Sequence, residues 1–442
     1  MKIQLSDHFT YGKLLRFTIS SIAMMIFTSI YGVIDGLFVS NYVGKTPFAA
    51  LNFIYPVIMM LGAVGFMLGT GGTALVAMAL GEGKKEKANK LFSMFIYITV
   101  ACGAVLAVLG ILFIRPIGAL LGATGEMLDL CVLYARIVMA ALPFFMLQME
   151  FQSFFVTAEK PQLGLISTVI SGVTNIVLDW LFIAIFKWGL AGAALATAIG
   201  QAVGGIIGLV YFARKNDSLL QLTKFEFDGK SLLKACTNGS SELMSNISMS
   251  LVSMLYNVQL MKYAGEDGVS AYGVLMYVSM IFMAIFIGYA IGTAPIFGFH
   301  YGAGHYDELK SLLKKSLVII GIFSIIMVIF SNIMSEPLSG VFVGYDETLY
   351  EMTKRGFFIY SFSFLFCGIA IFGSSFFTAL GDGLTSALMS FLRTLVFQIA
   401  AVMILPLILG IDGIWISIVV AELMAAVVTI FFLIIKKKKF HY

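Results

Sequence analysis

Asn175 and Asp179 stand in ISGVTNIVLDWLF (170–182), inside an otherwise apolar run of about twenty residues, enough to span a bilayer as a helix. The i, i+4 spacing puts the amide and the carboxylate on one helical face, one turn apart. On insertion scales an aspartate near the middle of a membrane helix costs roughly 2.5–3.5 kcal/mol. Such a charge faces the bundle interior and has partners, so it marks a functional site unless it only ties neighbouring helices together. A second membrane carboxylate, Asp35 in SIYGVIDGLFVS (29–40), belongs to the same half of the chain.

Asp35 lies about twenty residues and Asp179 about seventeen residues from helix starts on the same side, so at 1.5 Å per residue they reach similar depth. Thr197, about nine residues into a helix entering from the other side, meets them there. Asp35, Asn175, Asp179 and Thr197 are therefore expected around one polar pocket. Gln152 and Gln148 on the fourth helix are lesser contributors, and Glu150 between them points to another face and reads as structural. Two carboxylates in a low dielectric do not both stay ionised cheaply: one takes a proton or a cation sits between them. Oxygen donors suit Na⁺, which would make Asp35 and Asp179 its ligands, and the same pair can shuttle H⁺. Either ion satisfies these residues.

The elements that must position them follow from composition. Hydrophobic residues make up 60% of the chain and charged residues 12%, and mean hydropathy is +0.98. A soluble protein with this balance could not cover its surface with polar groups, so the chain is a polytopic membrane protein. Apolar runs bounded by charge or Gly/Pro clusters predict an all-α fold of twelve transmembrane helices. They cover 14–40, 50–80, 91–114, 130–157, 162–186, 189–212, 240–262, 270–300, 313–334, 356–379, 384–409 and 411–435. The first run is too long for a signal peptide and reads as the first span. With the N-terminus inside, cytoplasmic segments hold twenty Lys and Arg, from Lys2 to Lys436–Lys439, and outer segments seven. That bias places both termini in the cytoplasm, and the lipid bilayer is the chain's obligate partner.

Sliding the chain over itself by 221 residues brings Tyr42 and Gly44 onto Tyr263 and Gly265. It also brings Gly71, Gly81 and Gly83 onto Gly292, Gly302 and Gly304, and Gly189 onto Gly410. Residues 1–212 and 239–442 are thus two six-helix lobes of like orientation, joined by a cytoplasmic linker at 213–238. They are related by a pseudo-two-fold axis along the membrane normal. In such repeats substrate binds near the midplane between halves that rock to give alternating access. The chemistry is unequal, because Asp35, Asn175 and Asp179 fall on Tyr256, Val396 and Ala400. Arg393 and Glu422, within the C-terminal lobe, are expected to pair and hold helices together.

Between the lobes, Tyr272, Met276, Met280 and Met283 recur at i, i+4, i+8 and i+11 on the eighth helix. A methionine stripe is more often packing or lipid-facing surface. As a cavity wall it would repack around varied ligands, with tyrosine rings receiving cations. Tyr31, Tyr55, Met59 and Asn257 are the other candidates for this wall.

No Walker-type loop points to ATP and no catalytic set or metal motif points to an enzyme. The four cysteines and four histidines suggest neither a disulfide framework nor a zinc site. No cofactor, nucleic acid or second subunit is called for, and a monomer suffices.

The stretches YGVIDGLFVSNYVG (31–44), FQSFFVTAEKPQLG (151–164), SGVTNIVLDWLF (171–182) and GLAGAALATAIGQ (189–201) resemble the multidrug and toxic compound extrusion (MATE) family, nearest its bacterial MepA-type branch. The resemblance implies two lobes forming a V in a bacterial cytoplasmic membrane, exporting organic cations or drugs by antiport with H⁺ or Na⁺. It implies an N-lobe cation site at Asp35, Asn175, Asp179 and Thr197, with Gln152 as the fourth-helix member. Relatives with a coupling acid in the C-lobe have no clear match here, since Glu242 is near the cytoplasmic end of helix seven. The rival reading is a flippase for a lipid-linked saccharide or other amphiphile, which tends to have extra helices and a cationic cavity. An ion channel gives no reason for two unequal lobes.

Overall fold

The computed structural model describes residues 3–344 and 346–442. Lys2, counted above among the cytoplasmic charges, lies outside them. Twelve long helical segments follow one another among the described residues, with no strand. They are α1 (Tyr11–Val43), α2 (Lys45–Gly81), α3 (Lys85–Leu120), α4 (Gly125–Ala140 with Leu142–Thr157), α5 (Pro161–Ile185) and α6 (Gly189–Ala213). The second set is α7 (229–264), α8 (Asp267–Gly302), α9 (Tyr306–Val343), α10 (Glu347–Ser361 with Phe364–Ala379), α11 (Gly383–Leu409) and α12 (Ile411–Ile435).

Local chemistry sets several helix starts. The Thr10 hydroxyl accepts from the Lys13 N–H to cap α1 and the Asp228 carboxylate accepts from Lys230 and Ser231 to cap α7. Pro161 opens α5, where its missing N–H has no partner to lose. Because Asp228 caps it, α7 starts at Gly229, so the last ten residues of the expected linker 213–238 are helix. Among the described residues, eleven segments are long and apolar enough to cross a membrane, each bent pair counting once. The other is α7, whose first half carries Asn238, Ser241, Glu242, Asn246 and Ser248.

The 221-residue repeat is written in the backbone. α4 bends by 59° at Ala141 and α10 by 49° at 362–363. Gly44 and Gly265 break the helices at φ 122° and 63°, a region that favours residues without a Cβ. The second of these interrupts the helix between α7 and α8.

The lobes meet along α1 and α2 on one side and α7 and α8 on the other. Their closest approach lies at the end bearing the 82–84 and 303–305 turns, here called the base. There Gly71 faces Ala235 and Gly239 of α7, Gly81 faces Phe299 and Ala303 of α8, and Gly288 and Gly292 lie against Ile22 and Thr18 of α1. Farther along the same two helices, a Cβ at Gly32 of α1 or Gly273 of α8 would meet no atom within 4 Å. α1 and α8 thus touch at the base and diverge beyond it, the geometry of a V.

Two segments strap the base. Leu5 and Phe9 are fully buried. The Leu5 N–H donates to Glu159 of the N-lobe (2.7 Å) and the Phe9 N–H to Glu308 of the C-lobe (3.0 Å). At the other terminus Phe440 and Tyr442 are buried and Lys436 pairs with Asp382 at 3.0 Å.

Candidate functional site

α1, α5 and α6 bring the N-lobe carboxylates together because glycine lets their backbones approach closely. A Cβ on Gly172 of α5 would press on the Phe27 and Tyr31 rings of α1, and one on Gly200 of α6 would come within 3.0 Å of the Asn175 Cβ. In that close packing Asp35 comes to face both Asp179 and Asn175. The Asn175 amide donates to the Thr197 hydroxyl at 3.5 Å. Asp179 is fully buried and Asn175 nearly so, while Asp35 is half-buried.

Four oxygens of the group lack a donor. Both Asp179 carboxylate oxygens, Asp35 Oδ1 and Asn175 Oδ1 are buried with no hydrogen-bond donor. Neither aspartate belongs to an ion pair among the described residues. Buried charges of like sign without a donor between them are strongly unfavourable, so a proton or cation must complete the set.

The backbone at these charges is unusual too. A π-helical turn, Trp180–Ile185, begins immediately after Asp179, and another, Val39–Val43, begins four residues after Asp35. The third, Leu392–Val396, contains Arg393. A π turn widens the helix and frees carbonyls from the ordinary ladder, a distortion frequent at functional sites.

Gln152 is not part of the four-residue group. On the fourth helix Gln148 donates to the Ser171 hydroxyl at 3.1 Å. Ser171 lies two turns below Asp179, and Gln152 is one turn closer to the base than Gln148, buried with both polar atoms unpartnered. Tyr134 of α4, which the sequence reading missed, is fully buried with its hydroxyl beside Thr197 and close enough to feel both aspartates. Its only signal was a tyrosine inside the apolar stretch CVLYARIVMA. Tyr31 and Tyr55 also lie within the field of Asp35.

In the C-lobe, Arg393 donates to Glu422 at 2.8 Å, and both side chains are largely buried. The expected pairing is present. Tyr256, at the position equivalent to Asp35, donates to Gln398 Oε1 at 2.7 Å and stacks on Tyr272 with ring centroids 5.5 Å apart.

That stack corrects the α8 stripe as a continuous cavity face. Tyr272 is 6% exposed inside the C-lobe core, and Met276 and Met283 are half-buried against that core. Met280 is 49% exposed, and its exposed neighbour one turn back is Tyr277. The open strip of α8 is therefore rotated away from Tyr272. Tyr55 is 37% exposed, Asn257 is half-buried, and Met59 packs beside Phe145 and Met146.

Comparison with known proteins agrees with this architecture. The chain is 24% identical over 417 residues to the multidrug export protein MepA of Staphylococcus aureus (strain MRSA252), covering 94% of this chain and 92% of that protein. Its fold superposes with a TM-score of 0.93 on a crystal structure of MATE in complex with MaL6, at 23% identity and 98% coverage of both chains. The TM-score is also 0.93 against an outward-facing multidrug resistance MATE family transporter of the MOP superfamily, at 22% identity, covering 98% of this chain and 97% of that one. The MatE family model matches residues 20–181 and again 243–404, once per lobe and together well over half of the sequence. This chain belongs to the MatE family, the multidrug and toxic compound extrusion transporters.

Proposed function

We propose that this protein is a secondary active exporter of cationic or amphipathic organic compounds, driven by inward H⁺ or Na⁺ and alternating between two arrangements of its lobes. The observation that carries the reading is the set of buried, undonated oxygens on Asp35, Asp179 and Asn175, which a bound proton or cation would complete. The half-buried Asp35 is the point of entry and the buried Asp179 the inner wall. Binding there favours one packing of α1, α5 and α6, and a ligand shifts such an equilibrium only by its differential affinity for the two packings. The charge bias supports a cytoplasmic base, so the V described above opens outward. The multidrug export role of the Staphylococcus aureus relative supports drugs as cargo.

A flippase for an anionic lipid-linked saccharide needs free cationic groups in its cavity. Arg393, a basic residue deep in a helix of the C-lobe, is instead neutralised by Glu422, which favours the exporter. Proteoliposomes with ΔpH and ΔNa⁺ imposed separately test the proposal. One gradient should drive concentrative uptake of a fluorescent organic cation into inside-out vesicles. Uptake that follows neither gradient refutes it.

A further inference from the structure

Glu150 lies on the fourth helix, two residues from Gln148 and therefore on the opposite face from the polar contacts to α5. It is fully buried, and neither carboxylate oxygen has a hydrogen-bond partner. The Thr99 hydroxyl of α3 faces it and is itself buried without another partner. α2 brings no titratable side chain between Gly62 and Thr73, and α4 brings no other between Pro143 and Thr157. α3 adds Cys102, and α7, behind α2, adds Cys236 near it. Lys234 of α7 turns toward Gly381 and Glu242 lies in the field of Arg393. No cation faces Glu150 among the described residues. A carboxyl in this setting is stable as the neutral acid and costly as the anion.

Its position is as informative as its isolation. A Cβ on Gly69 of α2 would lie 2.9 Å from the Glu150 Cα. The flanking residues Met67 and Gly71, on the opposite face of α2, pack on Gly239 and Ala235 of α7. One turn of α2 is thus sandwiched between Glu150 and the C-lobe, at the seam that closes the base.

We propose that Glu150 is a second proton-binding site, loaded while α2 is clamped on α7 and emptied to water when the seam parts. The proposal rests on the lobe alternation of the preceding section but not on the aspartate pair. The site holds its proton when the seam is dry. When the lobes separate at the base, water reaches the carboxyl, the O–H bond breaks, and the proton leaves to solvent. The resulting carboxylate opposes reclosure, so seam closure and proton uptake are reciprocally linked.

The test uses full-length protein in lipid nanodiscs carrying Asp35→Asn and Asp179→Asn, which removes titration of the pair. Difference infrared spectra at neutral pH read the C=O stretch of protonated carboxyls, and Glu150→Gln should remove the intensity of one carboxyl. Spin labels at Lys87→Cys and Lys310→Cys, exposed at the base of the two lobes in a background without native cysteines, report lobe separation. With Glu150 present the labels should move apart as pH rises; with Glu150→Gln the short distance should persist. Thr99→Val keeps the acid and should move the midpoint of that response, which covers the case of a Glu150→Gln protein that does not fold.

An unchanged band, an unchanged pH response in Glu150→Gln, or an unmoved midpoint in Thr99→Val overturns the proposal. Loss of the band without a change in the distance response also overturns it, because the proton then serves packing alone. A single fixed distance in every variant and in wild type with substrate refutes lobe alternation itself.

Discussion

Replacing Gly81 or Gly302 by alanine tests the seam directly. α2 and α8 cross at these residues with each glycine against the partner's backbone: Gly81 on Phe299 and Ala303, Gly302 on Met78. An added Cβ at Gly81 would sit 2.8 Å from the Ala303 nitrogen and closer still to the Phe299 carbonyl. Carbon-centred contacts relax near 3.5–4.0 Å, so the helices must part by about 1.5 Å. Neither neighbour is the end of a flexible side chain that could swing aside. Overpacking of this kind costs about 1–3 kcal/mol. The cost falls only on the arrangement in which the base is closed, so it weakens that arrangement relative to the other by about 5- to 150-fold. The helix itself is unharmed, since alanine favours helix over glycine. The assay is the distance between spin labels at the base of the two lobes, wild type against Gly81→Ala, at one pH. The ratio of long- to short-distance populations should grow by at least fivefold while the protein still folds. An unchanged distribution with normal folding would refute the seam as the closing contact.

Asp35→Asn and Asp179→Asn keep volume and remove the charges that call for an ion, so both proteins should fold and lose gradient-driven export in vesicles. Export against a gradient by both variants would move ion coupling out of the N-lobe. Arg393→Met leaves Glu422 buried without its partner and should cost about 3–5 kcal/mol, whereas Arg393→Met with Glu422→Leu should recover most of it, measured as thermal stability in detergent. Asp382 lies in the turn between α10 and α11. Burial opposes its charge, but the Lys436 ammonium, Thr385 and Lys439 outweigh burial and hold the carboxyl below its ordinary 3.8. A depressed carboxyl stabilises the fold above its unfolded value and loses that stability as pH falls through the folded one. The C-terminal strap should therefore stay docked at neutral pH and loosen only below about pH 4. Asp382→Asn should loosen it at pH 7 by about 1–2 kcal/mol, read as faster hydrogen exchange over residues 433–442.

Hydropathy, the Asp35 and TNIVLD stretches and the 221-residue offset were enough to obtain the class, the helix count, the two lobes and the family. These properties depend on composition and period, which a linear chain displays. Depth along a helix is also linear, so Asp35, Asn175, Asp179 and Thr197 could be matched at 1.5 Å per residue. Rotation about the helix axis is not so easily read once a helix bends or widens. Gln148 and Gln152 share a helix face in sequence, yet only Gln148 meets α5, at Ser171, while Gln152 is left without a partner. Tyr272 heads a stripe in sequence, yet it is folded into the C-lobe by its stack on Tyr256. The π turns beside both aspartates were not legible in composition or period. Only the tertiary structure decided that Tyr134 joins the acidic pair and that Glu150 backs the α2 turn clamped by α7. Both outcomes depend on which faces of separate helices meet, and glycines far apart in the chain decide that by letting backbones touch.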